Sequence, residues 1–519
     1  MHLSAAGRKV ARNLEILRSI GEQIQNDKQL LFDLCLTSKV FNFEFTRHVY
    51  WKIGPTIDLY RLGPSNPSLI HTRAFILTSL PKSNEWPKSP DVNEKVRQLV
   101  GRMENLKIFR WSLRYSPPEA ATIALLRNSC PQIKSLQLEL LDFMKYDLDL
   151  QKAVDRGPHT FDISPLENLT SLTLNSMYGD LAQWQRQIVQ VLVKSPALEK
   201  LSLSISRLTL GRYDAWGLPD HAKFFDRLCV HYAERGGQPL HLKTLTMGQS
   251  IFPMSYQALT NFVDLSYLEE VYIDNNGSLY DSSEVFELYR DDEWNAESAI
   301  VFHAFSPANC INLRRFGVSE FRMDVDKFLR GYAKYPSASR RLAFACREEI
   351  WDLHTTKLLQ AVEQHSGLPI QLRMMKVDLR QFNQEDFEIC LGNLVAANGD
   401  SLEGLVLVVG HLDERHHWLR THMQDLEAAF SSFTKLTQLD FAYAYHRGEY
   451  KPFLLFEKLA LACPSLQYIR SEGRCWRIRR RDGTMDVEFE RLSREEMDSV
   501  ELFSFFLPAG GVRWEILKG

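Results

Sequence analysis

Apolar residues return along this chain three and then two positions apart, with polar residues between them. The clearest instance is Ser129-Cys130-Pro131-Gln132-Ile133-Lys134-Ser135-Leu136-Gln137-Leu138, where Ile133, Leu136 and Leu138 hold the apolar positions. The spacing recurs at Leu106, Phe109, Trp111; Leu169, Leu172, Leu174; Leu198, Leu201, Leu203; Leu242, Leu245, Met247; and Leu268, Val271, Ile273. It continues at Leu313, Phe316, Val318; Leu372, Met375, Val377; Leu402, Leu405, Leu407; Leu436, Leu439, Phe441; and Leu466 with Ile469. A step of three suits a turn entering a strand, and a step of two keeps both side chains on one face of that strand. One such strand cannot bury its own apolar face, so the pattern predicts a stack of neighbours. The first positions mostly follow one another at 26 to 36 residues, with longer gaps after Leu198, Leu268 and Leu313. The last of these gaps has room for a degenerate unit near Leu342 and Phe344.

Between the strands the apolar period changes to that of amphipathic helices. Trp184, Ile188, Val191 and Leu192; Phe224, Phe225 and Leu228; Leu358, Leu359 and Val362; Phe387, Leu391 and Leu394; and Phe453, Phe456 and Leu459 each predict a helix backing the strands. Cys130, Cys310 and Cys463 stand three residues before a first apolar position, where Ser195 stands in a fourth unit. A small, weakly polar side chain suits that tight entry, and Pro131 and Pro464 stop the preceding helix. These units resemble the cysteine-containing leucine-rich repeats. The resemblance implies an α/β fold: a solenoid over residues 95–473 with a curved parallel sheet inside and helices outside.

Residues 13–55 read differently. Ile16, Leu17, Ile20 and Ile24 fall at helical spacing, as do Leu30, Leu31, Leu34 and Cys35, and a third helix carries Phe41, Phe43, Phe45, Val49, Tyr50 and Trp51. About 40 residues make a small core, so a partner surface is expected. Glu15-Ile16-Leu17-Arg18-Ser19-Ile20, then Leu31 to Phe41 with Ser38-Lys39-Val40-Phe41, then His48-Val49-Tyr50-Trp51-Lys52-Ile53 resemble an F-box. That family usually opens with leucine-proline, where this chain has Arg12-Asn13-Leu14. The resemblance implies binding to a Skp adaptor, and through it a cullin, with Glu15, Ile16, Ile20, Leu31, Leu34, Ser38 and Phe41 as contacts or their supports. A helical cap sealing the first repeat is the other reading of this segment.

The remaining stretches are connections and a terminal cover. Residues 56–94 read as a linker with one helix, Ser68 to Leu80, followed by Pro81, Pro87 and Pro90. The acidic stretch from Asn275 to Glu297 suggests a long surface loop. Within 474–519, Cys475 to Arg479 and Val487 to Glu490 flank Asp482-Gly483 and predict a hairpin covering the last edge. Its Arg477, Arg479, Arg480 and Arg481 fit a two-faced strand opposite Glu488 and Glu490 better than a nucleic-acid patch.

Composition narrows the function. A chain of 519 residues exceeds one compact core, and a net charge of −3 gives no bulk case for nucleic acid or a membrane surface. Eight cysteines without paired short spacings do not suggest a disulfide framework or zinc ribbon. His411, His416, His417 and His422 lack cysteine or carboxylate partners at ligand spacing, so no metal or cofactor is expected. No apolar run of membrane length appears, and Arg8, Lys9 and Arg12 precede no signal core; a cytoplasmic or nuclear location is expected. Phosphate-loop, nucleophile-elbow and HExxH motifs are missing, and a non-enzymatic protein is expected, an enzyme assembled from loops being the weaker rival.

The resemblance to F-box proteins with leucine-rich repeats implies the substrate-recognition subunit of a Skp, cullin and F-box type ubiquitin ligase, holding an unidentified protein target on its repeats; periodicity itself gives only an extended curved surface with a small helical head. The alternative is a leucine-rich-repeat interaction scaffold without a ligase. If Val271, Ile273, Met375, Val377, Leu405 and Leu407 point inward, their strand neighbours point to the opposite face. That places Tyr272, Asp274, Lys376, Asp378, Val406, Val408, Asp440, Tyr468 and Arg470 on the expected target surface, as the kinds of side chain that make hot spots.

Overall fold

The computed structural model describes residues 14–24, 28–37, 39–54, 62–77, 89–113, 118–140, 162–177, 180–205, 224–248, 255–274, 304–318, 323–346, 370–378, 384–409, 418–443, 452–471, 474–480 and 487–505. Helices and mostly parallel strands alternate in an α/β arrangement. The chain divides into two compact units, the first drawn mainly from residues up to Leu242 and the second mainly from Asp264 onward. The division falls within the span 95–473 read from sequence as one array.

In the first unit three helices, α1 (Leu14–Gln23), α2 (Lys28–Thr37) and α3 (Lys39–Val49), lead directly into β1 (Lys52–Ile53). Then come β2 (Ala74–Leu77), β3 (Ile108–Trp111), β4 (Ser135–Glu139), β5 (Ser171–Met177) and β6 (Lys200–Ile205). Each pairs in parallel with the next. Helices α4 (Ser89–Val100), α5 (Ala120–Ser129), α6 (Leu181–Val193) and α7 (Phe224–Glu234) lie between or after them. The strand β7 (Thr244–Gly248) sits where the two units divide.

The second unit repeats the scheme with β8 (Glu270–Asp274), β9 (Arg315–Val318), β10 (Ala343–Cys346), β11 (Met374–Asp378), β12 (Gly404–Val409), β13 (Gln438–Tyr443) and β14 (Tyr468–Ser471), all parallel. Its helices include α8 (Met323–Ala333), α9 (Gln384–Asn398), α10 (Trp418–Ser431) and α11 (Pro452–Ala462). An antiparallel pair, β15 (Arg474–Arg480) and β16 (Val487–Arg491), follows β14, and two short helices, α12 (Arg494–Ser499) and α13 (Glu501–Phe505), come after it.

The apolar spacing produces this ladder residue by residue. Leu136, Leu172 and Leu201 are register partners on successive strands, as are Met375, Leu405, Leu439 and Ile469. All are buried. In several units the first apolar residue closes a tight turn: the Ile133 N–H donates to Cys130 O at 3.2 Å and the Leu466 N–H to Cys463 O at 3.1 Å. One carbonyl then accepts from two successive amides of the next strand, as Lys107 O does from Lys134 N (2.8 Å) and Ser135 N (2.9 Å).

At several entries the small polar residue ties its unit to the one before. The Cys130 thiol donates to Met103 O (3.4 Å) and the Cys463 thiol to Phe433 O (3.6 Å), while Ser195 Oγ accepts from the Leu169 N–H (3.0 Å). Asn398 plays the same part, its Oδ1 accepting from the Leu372 N–H at 2.8 Å. Burial pushes the Cys130 and Cys310 thiols up to about 12, so at neutral pH they remain S–H donors rather than nucleophiles.

One sequence expectation changes here. Ser68 to Leu80 is not one helix: a 3-10 turn at Pro67–His71 is followed by β2. Thr72, Phe75 and Leu77 keep the three-then-two spacing, with a buried threonine in the first apolar place, and this hid a unit inside the presumed linker. The long gap after Leu313 does hold a further unit, since β10 pairs with both β9 and β11. Leu358, Leu359 and Val362, the acidic stretch from Asn275 to Glu297, and His411, His416 and His417 lie outside the described residues, and His422 falls in α10.

Candidate functional site

Two surfaces carry the residues singled out from sequence, one in each unit. The first is the three-helix segment. Leu17, Leu31 and Phe45 form its buried centre, with Ile20, Ile24, Leu34, Cys35, Phe41 and Val49 packed around them. Glu44 is buried on α3 and is neutralised by Arg47 (2.9 Å) and Arg18 (3.4 Å), as a carboxylate out of water requires. His48 is also buried; burial first, and Arg47 second, lower its pKa. Gly21 lets α1 approach this histidine, because a Cβ there would come within 2.4 Å of the His48 ring. The Trp51 carbonyl accepts from Arg73 N (2.9 Å) and Ala74 N (3.0 Å), so the segment runs on without a break into the first strand pair.

Of the expected adaptor contacts, Glu15 and Ile16 are exposed, Ile20, Leu34 and Phe41 are half-buried, and Leu31 is wholly buried. Ser38 lies outside the described residues. Leu31 therefore supports the segment from inside. The exposed apolar surface comes instead from Leu30, Phe32, Leu36 and Val40 together with Ile16, Phe32 being 52% and Leu36 73% exposed. Phe32 and Leu36 stand one turn apart on α2, which puts them on one face. Their signal was present in the sequence: Lys28-Gln29-Leu30-Leu31-Phe32-Asp33-Leu34-Cys35-Leu36-Thr37 is apolar nearly all round, and only one side of it is used by the core.

The second surface is the outward face of the later strands. Register aligns Met374, Gly404, Gln438 and Tyr468 in one row across β11 to β14, and Lys376, Val406, Asp440 and Arg470 in the next. Tyr272 and Lys376 are half-buried, Tyr272 lying over Gly317 of the adjacent strand, whose missing Cβ leaves room for the ring. Tyr468 is half-buried. Asp274 ends β8, and Asp378 ends β11.

Val406, Val408, Asp440 and Arg470 are not the exposed hot spots that alternation predicted. The valines are 4% and 8% exposed, and Asp440 and Arg470 are buried as a pair. The cause is the C-terminal segment. Leu492, Val500, Leu502 and Phe503 pack with Ala343, Met374, Val406, Val408 and Cys475 into one cluster, and Met497 and Tyr468 flank it. Period two assigned the correct face to these residues, but that face has a cover.

Polar contacts fix the cover in place. Glu501 accepts from Arg373 through both oxygens (2.6 and 2.7 Å) and from Arg315 (3.0 Å). Its carboxyl is held down to about 2, by the Arg373 hydrogen bonds first. The Leu502 N–H donates to Gln438 Oε1 (2.7 Å), Arg470 donates to Phe503 O (3.2 Å), and the Arg470 guanidinium lies 4.8 Å from the Phe503 ring centre. Burial weakens the charged form of Arg470, and Asp440 more than offsets it by charge and hydrogen bond. Beside the cover, Arg477 and Arg479 reach Glu490 at 3.4 and 2.7 Å.

Among the described residues no group of histidine, cysteine and carboxylate side chains could hold a metal ion, and no helix is long and apolar enough to cross a membrane. No family model matches the chain, and comparison with curated proteins finds no match.

Proposed function

We propose that this chain is the substrate-recognition subunit of a Skp, cullin and F-box type ubiquitin ligase, with residues 13–53 docking the Skp adaptor and leucine-rich repeats holding a protein target. In this reading both units are stretches of leucine-rich-repeat solenoid, curved parallel sheet within and helices without. Ubiquitin transfer belongs to other subunits. The observation that carries the reading is the exposed apolar surface of a three-helix segment whose sequence resembles an F-box: Ile16, Leu30, Phe32, Leu36 and Val40 face outward from a core of three buried side chains. Apolar patches of this kind on a small helical unit are partner surfaces.

The second reading, an interaction scaffold whose first helices merely cap the array, is favoured by one observation. Helix α3 passes directly into β1, which pairs with β2 and so closes that edge. A cap needs its inner face, however, and does not explain two large apolar residues one turn apart on the outer side of α2.

Co-purification with a Skp adaptor separates the two. The wild-type chain is expected to retain the adaptor, and Leu36→Asp or Ile16→Asp to release it without lowering the melting temperature, since both side chains are exposed. Leu31→Asp is expected to lose the adaptor by unfolding the segment. A wild-type chain that never captures any adaptor leaves the scaffold reading in its place.

A further inference from the structure

We propose that the outward face of β9 to β14 is a peptide-docking groove for a segment carrying a carboxylate followed by two bulky apolar residues, and that residues 500–503 occupy it in cis until such a segment of a target displaces them. The inference rests on reading the second unit as the target-binding part of the chain. Val500-Glu501-Leu502-Phe503 shows what the groove selects. The carboxylate enters a fork made by Arg315 and Arg373, Leu502 sits above Gly404, and Phe503 lies under Arg470. A Cβ at Gly404 would come within 2.9 Å of the Leu502 side chain, so glycine makes that seat. The floor is apolar, formed by Ala343, Met374 and Val406.

Three features distinguish an occupant from a fixed part of the fold. The segment adds no strand to the sheet; sheet side chains, not a backbone ladder, grip its main chain through Gln438 and Arg470. Its two helices, of six and five residues, are far too short to be stable away from the groove. The arginines also keep carboxylate partners when it leaves: Arg315 already meets Glu270 at 2.6 Å, Arg373 lies 3.6 Å from Glu403, and Arg470 is paired with Asp440. Release therefore strands no buried cation, and a segment of like chemistry exchanges like contacts. A tethered occupant competes at an effective concentration on the order of millimolar, so a free peptide binds the intact chain weakly and gains when the tethered one is disabled.

The test uses a fluorescein-labelled peptide of residues 497–505, titrated into the full chain. Binding is expected to be at least tenfold tighter to the variant Glu501→Lys with Phe503→Asp than to wild type, and to be lost when Arg373→Glu is added. Equal binding to wild type and the double variant, or binding that survives Arg373→Glu, overturns the proposal. A second measurement needs no variant: in the wild-type chain the amides of Leu502 and Phe503 are expected to exchange hydrogen at least a hundredfold faster than those of Leu405 and Leu439. Exchange at the same rate would make the segment an integral part of the core and end the proposal. Adaptor capture, measured on the same chains, distinguishes the failures. Peptide docking lost with capture retained sinks this inference alone, and capture absent with docking retained sinks only the ligase reading.

Discussion

Asp440→Ala is the sharpest test of how the covered face is held. Asp440 and Arg470 are both buried, 8% and 9% exposed, and hydrogen-bonded to each other. Removing the carboxylate leaves the guanidinium in place with the Phe503 carbonyl at 3.2 Å and the Phe503 ring at 4.8 Å. Both contacts exist already, so neither is a new gain that offsets the loss. Breaking one side of a buried pair costs about 3–5 kcal/mol, and the remaining acceptor places the expectation at about 3. Arg470→Met in the same background removes the orphaned charge while keeping much of the volume. The double variant is then expected within about 1.5 kcal/mol of wild type, the cost of the lost hydrogen bond to Phe503 O. Hydrogen exchange at Leu439 and Ile469, the inward neighbours on β13 and β14, reads the stability of these strands directly. The reasoning is refuted if Asp440→Ala costs under about 1 kcal/mol, or if the two single costs simply add.

Other outcomes follow from single contacts. Leu405→Ala, at a fully buried position between register partners Met375 and Leu439, is expected to cost about 2–5 kcal/mol in denaturant unfolding; an unchanged midpoint would contradict the assigned strand face. Gly21→Ala drives a Cβ to within 2.4 Å of the buried His48 ring and is expected to cost about 1–3 kcal/mol, seen as a lowered melting temperature and weaker adaptor capture. Unaltered melting would mean that α1 and α3 are not so closely packed. Glu501 has its pKa lowered from 4.5 to about 2, so its contribution is complete above 4.5 and lost as pH falls through about 2. With the side chain 31% exposed, that contribution is on the order of 1–2 kcal/mol after solvent screening. Exchange at Leu502 should therefore accelerate as the pH drops below 4.5, after correction for intrinsic rates, and a Glu501→Gln chain should show no such step.

The strand ladder was legible because its determinants are local. Three apolar positions and a small polar entry residue lie within about ten residues, and each unit repeats the same physical problem of burying one strand face. Where one position departed from the apolar code the reading failed. Thr72 occupies a first apolar place, and without it Ser68 to Leu80 looked helical, although Asn66 Oδ1 caps the Ser68 N–H and ends the matter in a short 3-10 turn. The terminal helices carry a local signal outside the three-then-two code: Ser493 and Glu496 form a reciprocal capping box just before Met497, Val500, Leu502 and Phe503. Where those helices dock was not legible. Glu501 meets Arg373 and Arg315 across 128 and 186 residues, and only the register of the strands brings both arginines to one point.

Val406 and Leu36 show why the two candidate surfaces need different treatment. Both are apolar residues off the core period of their own element, and from sequence alone each invites the same reading as a partner contact. Val406 is covered by the chain itself, because Glu501 supplies a charge for the arginine fork and Leu502 and Phe503 supply apolar area for the floor. Leu36 is 73% exposed, and Phe32 beside it 52%. An apolar residue outside its own core is thus covered by the chain in one place and exposed in the other, and the residue alone identifies an occupant in neither. At the β9 to β14 face the occupant can be read from the contacts of residues 500–503, which define a chemistry of one carboxylate and two bulky apolar groups. At α2 the proposed adaptor would supply the apolar complement to Phe32 and Leu36, and Leu36→Asp alone is enough to test whether it does.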